Sequence, residues 1–430
     1  MRIRIRGLRY KIMAIFLSIY AFTRGGIGLM ISTSYWTIGL LIILMLSIFC
    51  MYKKSLFVIS KRDIPIILMI MEIILWNNWD FKNNEWFLDL ILVVFFFFLL
   101  AANKTDVWFD VALSMILVMG VFHAIWTIIC FLSPNIYYTI VYPIVNNIAQ
   151  WSLTAMYDKG FMTGFNYSNS QDAIYLTSGI IICVCSLLFS NKAHKIKWLH
   201  VTVLFFLLFS LLLTGKRGPI VWFSVAFVIV YWLYNCDKPS SRIFKVFSIV
   251  VFTIAIIYFM SFFIPEVLNF VYRFIEMAEQ GDISTHRTEL WGMGFDAFLR
   301  SPLLGHGWFW FKYNNSFGIT YHVHNCYIQL LCELGLIGAI PWFYFLVINF
   351  KHTVTIIRGI KKGELCDYNG KVLRQLMFSA FYQMYFLIYA FAGTSFYEPE
   401  CLLPYIFSSA IAMYYWDCLK KGKMREGALK

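Results

Sequence analysis

Apolar runs that approach the ~20 residues a helix needs to cross a bilayer core recur along this 430-residue chain, and they constrain its fold more than any other feature. Helices are expected at 9–22, 35–52, 63–77, 86–102, 107–131, 172–190, 197–214, 219–234, 246–264, 325–350, 375–393 and 400–417. Only 14% of the residues are charged and 60% are hydrophobic, whereas about a quarter of an ordinary soluble chain is charged. No polar stretch is long enough for a separate soluble core. Residues 1–430 are therefore expected to form a single all-α, polytopic integral membrane domain of about 12 spans. Two longer stretches, 132–171 and 265–324, do not span. The basic Met1–Lys11 segment precedes an apolar run without a convincing cleavage site, which predicts a retained first helix.

A formal net charge of +13 would raise nucleic acid as the partner of a soluble chain. Here the distribution of charge assigns it to topology instead. With the N-terminus in the cytoplasm, 27 of the 36 Lys and Arg fall in cytoplasmic segments and 9 in outer ones, the asymmetry of the positive-inside rule. Both termini are thus expected in the cytoplasm, and both long stretches outside. The outer loop 265–324 is expected to carry part of the active site. No GxxxxGK[ST] loop is present to cradle nucleotide phosphates. The ten Cys contain no CxxC pair and lie mostly inside apolar runs, so neither a disulfide framework nor a zinc site is read.

Three outer basic elements could carry chemistry. Leu213-Thr-Gly-Lys216-Arg217-Gly-Pro219 reads as a tight turn into a helix that starts outside. Its free N–H groups and positive dipole end, with Lys216 and Arg217, suit an anion such as phosphate; interfacial anchoring by snorkelling side chains explains the same residues. Ser284-Thr-His286-Arg287-Thr-Glu289-Leu-Trp291 reads as the start of an amphipathic helix on the outer surface, capped by Ser284 or Thr285. Its apolar face would be Leu290, Trp291, Phe295, Phe298 and Leu299, with Asp296 and Arg300 as an i,i+4 pair. Tyr321-His322-Val-His324-Asn325 precedes another helix that starts outside. A His there is held neutral by the dipole and can serve as a general base, while His324 or Asn325 could equally be a structural cap. His286, His306, His322 and His324 match no standard metal-ligand spacing. Gly305, Gly307, Gly335 and Gly338 are read as turn and packing residues, Glu333 as a structural group paired with a base, and Asp110 with His123 as an intramembrane pair or two hydrated groups.

The stretch Arg287-Thr-Glu289-Leu-Trp, Ser301-Pro-Leu-Leu-Gly-His-Gly307 and His324-Asn325-Cys-Tyr-Ile-Gln-Leu-Leu-Cys-Glu-Leu-Gly-Leu-Ile-Gly338 resembles the O-antigen ligase and Wzy-type O-antigen or capsular polysaccharide polymerase superfamily. Thr214-Gly-Lys216-Arg217-Gly218 looks like that family's upstream Arg turn, and Gly164-Phe-Asn166-Tyr-Ser-Asn169 like its entry into an earlier helix. The resemblance implies a GT-C-like glycosyltransferase of the bacterial inner membrane acting on undecaprenyl-diphosphate-linked oligosaccharide, without nucleotide, cofactor or metal. It implies Arg217 and Arg287 as diphosphate binders, with Lys216 beside them, and His324 as catalytic base. Asn325, Tyr321, Glu289 and Asn166 are supporting candidates. Lys216 stands where a small residue is common in the family. Trp308, Trp310 and Tyr321 could stack on sugars or form an interfacial belt.

A polymerase, with chain-length regulator and flippase proteins as partners, is favoured over a ligase to lipid A core because no extra domain is present to hold such an acceptor. A lipid-linked glycan flippase or transporter is the alternative from another class. It is disfavoured because the halves of the chain differ and the candidate residues cluster at the outer surface, not at the bilayer midplane.

Overall fold

The computed structural model describes residues 8–23, 38–39, 41–43, 45, 63–76, 85–102, 106–144, 147–166, 168–189, 194–234, 264, 268–279, 286–316, 321–367, 370–422 and 424. Where the expected apolar runs fall on these residues, they fold as helices. The longer helices are α1 (Leu8–Thr23), α2 (Ile64–Leu75), α3 (Glu85–Ala102), α4 (Phe109–Leu132), α5 (Asn147–Asp158), α6 (Asn169–Phe189) and α7 (His194–Leu213). They continue as α8 (Arg217–Tyr234), α9 (Asn269–Glu279), α10 (Arg287–Arg300), α11 (Trp310–Asn314), α12 (Cys326–Lys361), α13 (Lys371–Ala390) and α14 (Pro399–Lys420). All of the expected helix 246–264 but its last residue, and most of 35–52, lie outside the described residues.

Among the described residues, α4, α6, α8 and α12 are each long and apolar enough to cross a membrane, and the fold is that of an all-α membrane protein. The stretch 132–171 is itself partly helical, with a π-helical turn at Tyr137–Val141 followed by α5. α6 packs on α4 and α7, while α13 packs against α8, α12 and α14. Several polar groups buried between these helices are matched across helix interfaces, which offsets part of the cost of burying them. Asp110 and His123 do not pair with each other. They are thirteen residues apart on one helix, or about 20 Å along its axis. Asp110 instead meets Arg374 at 2.7 Å and Gln375 at 2.7 Å. His123 lies 3.4 Å from Asp172 and 3.0 Å from Asn166.

α12 is not one continuous helix. Gly335 leaves helical geometry at φ 65°, ψ −172°. The break frees carbonyls, and the 301–307 loop supplies their donors. The N–H groups of His306 and Gly307 donate to the Cys332 and Glu333 carbonyls, and Leu336 N–H donates back to Pro302. The approach is close enough that a Cβ on Gly305 would lie 2.4 Å from the Glu333 backbone, and one on Gly335 2.4 Å from that of Leu303. The broken helix thereby fixes the loop that follows α10 against the helix that follows His324.

Candidate active site

The Arg217 turn is built by local constraint. α7 is followed by Thr214, whose hydroxyl donates to the Leu211 carbonyl and accepts from Lys216 N–H. Gly215 takes φ +63° beneath the Phe161 ring, which any Cβ would strike. Left-handed backbone is cheap only for glycine. The 160–169 segment clasps this turn, with Met162 N–H donating to Leu213 and the Asn169 side chain to the Thr214 carbonyl. α8 then opens at Arg217 with Pro219 in its first turn.

Asn166 sits behind the turn. It is fully buried, donates to Asp172 at 2.8 Å and lies beside His123, while Thr127 donates to the other Asp172 oxygen at 2.6 Å. Asn166 is therefore a structural support; it does not line the site cavity.

α10 starts directly at Arg287. The residue before it, His286, is left-handed at φ 62° and makes no side-chain cap. The expected caps Ser284 and Thr285 lie outside the described residues. The expected apolar face divides. Leu290, Gly294 and Ala297 are buried, Phe295 and Leu299 are exposed, and Trp291 faces the cavity. Arg300 Nε donates to the Asp296 backbone carbonyl and not to its carboxylate. Glu289 is exposed, 3.6 Å from His286, and Tyr321 is exposed as well; neither lines the cavity.

His324 has φ +55°, strained for a residue with a side chain. Three neighbours over-determine it. Val323 N–H donates to Gln329 Oε1 at 3.2 Å, Trp291 Nε1 donates to the His324 carbonyl at 3.3 Å, and Asn325 caps α12. The Asn325 Oδ1 accepts from Tyr327 and Ile328 N–H, each at 3.1 Å. The cap is thus Asn325, which leaves the His324 ring available to the cavity. Glu333 finds no basic partner among the described residues. It accepts from Gln329 at 2.9 Å and Tyr397 at 2.9 Å, and Gln329 also meets His322 at 3.0 Å.

The Lys216-Arg217 pair, Arg287 and His324, three separate points of the sequence, line one cavity of about 350 Å³, within the range of small-ligand sites. Burial, then the Arg287 and Lys216 cations, push the His324 pKa down to about 4. The ring is therefore neutral at pH 7. Burial also lowers the Arg287 pKa; Tyr389 opposes that shift and Arg217 adds to it. Among the described residues no carboxylate pairs with Arg287. The cavity is a positively charged pocket holding an unprotonated imidazole, suited to an anionic leaving group and a hydroxyl nucleophile.

The other walls were not anticipated from the sequence. Trp222, Trp291 and Tyr389 supply the cavity's aromatic surface, and Ser170, Thr394 and Glu398 its remaining polar side chains. Trp308 and Trp310 do not. Trp308 is buried against Trp342 and Tyr397, and Trp310 stacks on His306. Trp222 follows Arg217 by five residues, about 140° around α8, so no same-face spacing marks it in the sequence. The four histidines weighed as metal ligands are dispersed among separate partners, His306 meeting the Ala297 carbonyl at 2.8 Å. No cluster of three metal-ligand side chains occurs among the described residues.

Residues 201–343 match the family model described as O-Antigen ligase. That match bears out the resemblance carried by the motifs. The match is consistent with the O-antigen ligase and Wzy-type superfamily, and the all-helical apolar fold is consistent with a membrane protein of that kind. The matched stretch contains Lys216, Arg217, Arg287 and His324 and ends before Tyr389 and Glu398. A search of curated proteins found no match.

Proposed function

We propose that the chain is a polysaccharide polymerase that transfers oligosaccharide repeats from undecaprenyl diphosphate to a second lipid-linked glycan. The observation that carries this reading is the convergence of Lys216, Arg217, Arg287 and a neutral His324 on one cavity. Arg217 and Arg287, with Lys216, neutralise the lipid diphosphate, whose departure then needs little protonation. His324 takes the proton of an acceptor hydroxyl while that oxygen forms its bond to the anomeric carbon. The bond from that carbon to the diphosphate oxygen breaks in the same displacement, which inverts the anomeric configuration. No metal is required for this sequence of bond changes.

The charge distribution supports an inner-membrane topology with both termini cytoplasmic and the cavity on the outer face. We read 1–430 as one integral domain, with 265–324 as the outer loop that delivers Arg287. The bilayer, the lipid-linked glycan, and flippase and chain-length regulator proteins are the partners this reading entails.

Deletion of the gene tests the reading. A polymerase mutant retains single repeat units on its acceptor and loses polymer. Full-length polymer accumulating on the lipid carrier identifies a ligase. Absence of repeats from the outer face identifies a flippase.

A further inference from the structure

α14 begins after Glu398, which occupies the N-cap position yet makes no side-chain cap bond. Its carboxyl lines the cavity instead. Two donors fix it there: Thr394 Oγ1 on one oxygen at 2.6 Å and the Tyr389 hydroxyl on the other at 2.5 Å. A carboxylate offers about four acceptor positions, so two donors leave capacity directed at a ligand.

The packing behind this carboxyl is layered. Trp222 and Tyr389 stack with centroids 4.3 Å apart. A glycine closes each side of the pair. A Cβ on Gly218, next to Arg217, would come within 2.7 Å of the Trp222 ring, and one on Gly393 within 1.7 Å of the Tyr389 ring. The Arg217 turn and the loop carrying Glu398 are thus held at the two ends of one stack. The same loop is fastened to the start of α12, where Cys326 Sγ donates to the Gly393 carbonyl at 3.3 Å. That helix start follows His324 by two residues. The carboxyl is therefore held in register with both the cations and the imidazole.

Burial raises the Glu398 pKa, while the hydrogen bonds from Thr394 and Tyr389 and the Lys216 charge oppose that shift; held ionised, Glu398 is a poor partner for a diphosphate. At neutral pH a diphosphate brings negative charge and acceptor oxygens, and a carboxylate repels the one and cannot donate to the other. A saccharide brings hydroxyl donors, and the Trp222 and Trp291 rings beside it offer apolar faces.

We propose that Glu398 is the acceptor-binding carboxylate of this cavity, receiving hydrogen bonds from hydroxyls of the incoming glycan while Lys216, Arg217 and Arg287 hold the donor diphosphate. The inference rests on the glycan-transfer reading above and adds to it a division of the cavity between a phosphate-holding and a hydroxyl-holding part. Glu398 lies beyond the stretch that matches the family model, so the acceptor side belongs to the part of the chain the match does not cover.

The test uses membranes of a deletion strain complemented with each full-length variant, so that the native acceptor is present, supplied with lipid-linked repeat extracted from producing cells. Binding of undecaprenyl diphosphate is measured separately on the purified proteins. Glu398→Gln keeps an oxygen for the loop's donors but removes the charge. It is expected to lower glycan transfer by about tenfold or more, because hydrogen bonds to charged groups are the stronger ones, and to bind undecaprenyl diphosphate at least as tightly as wild type. Thr394→Val, which removes one fastening of the loop, is expected to lower transfer less. Transfer by Glu398→Gln at the wild-type rate overturns the proposal, as does a Thr394→Val loss equal to that of Glu398→Gln, which would make Glu398 a loop anchor only. Loss of undecaprenyl diphosphate binding in Glu398→Gln also overturns it. Failure of the underlying reading looks different: Arg287→Ala would then still bind undecaprenyl diphosphate normally.

Discussion

The indole N–H of Trp291 donates to the backbone carbonyl of His324 at 3.3 Å. The helix that begins with Arg287 therefore also holds the residue we read as the base. Trp291→Phe keeps an aromatic wall and deletes the bond. One hydrogen bond contributes about 0.5–1.5 kcal/mol net, so kcat is expected to fall roughly two- to tenfold at unchanged membrane abundance. Steady-state kinetics on purified protein checks this, and an unchanged kcat would detach the two elements.

His324 carries the pH prediction. Its pKa is lowered to about 4 by burial and by Arg287 and Lys216. A depressed imidazole stays neutral, and so competent as a base, down to that pH. The acid limb of kcat/KM is expected near pH 4, not near the ordinary 6.5. Lys216→Met removes one of the cations and should move the limb upward. Stability runs the other way: below pH 6.5 the unfolded chain takes up a proton that the folded site refuses, so the His324 contribution to stability declines from 6.5 toward 4. A wild-type activity limb at 6.5 would contradict the electrostatic account.

Two glycines separate backbone strain from steric exclusion. Gly363 has φ +74° with open space around it, whereas Gly335 has φ +65° and the Leu303 backbone 2.4 Å from any added Cβ. Gly363→Ala should cost about 1–2 kcal/mol, the left-handed penalty alone. Gly335→Ala should cost more, because the 301–307 loop must also move off α12. Thermal unfolding in detergent measures both, and equal losses would mean the close approach is not a constraint.

The buried network behind the Arg217 turn should act on folding and not on chemistry. Asn166→Ala removes a donor to Asp172 and is expected to cost about 1–3 kcal/mol of stability. Affinity for undecaprenyl diphosphate should change by no more than about threefold. A selective loss of affinity at full stability would return Asn166 to the ligand site.

The helices were legible in the sequence because a bilayer leaves one local solution for an apolar run, so length and hydropathy suffice. The Arg217 turn, Arg287 and His324 were legible because each is a polar group at or just before a helix start. What escaped was set by non-local packing. The break at Gly335 depends on donors from a loop some thirty residues away, and nothing in the local pattern of α12 distinguishes it from a continuous span. Glu333 finds Tyr397, and His123 finds Asp172, across helix interfaces that no periodicity reports. Glu398 was missed for the same reason: a lone Glu before a Pro reads as an ordinary helix entry until Tyr389 and Thr394 are seen to turn it into the cavity.

The central claim is that His324 removes the acceptor proton. His324→Asn tests it most directly, because Asn tolerates the left-handed backbone that His324 adopts and Asn325 still caps α12. The measurement is glycan transfer from undecaprenyl-diphosphate-linked oligosaccharide by purified wild-type and variant protein, with a chelator present and no nucleotide. General-base catalysis typically contributes ~10²–10⁴-fold. The account predicts an Asn variant that folds, binds the lipid-linked donor and turns over slower by a factor in that range. Turnover within about threefold of wild type would remove His324 as the base and contradict the account.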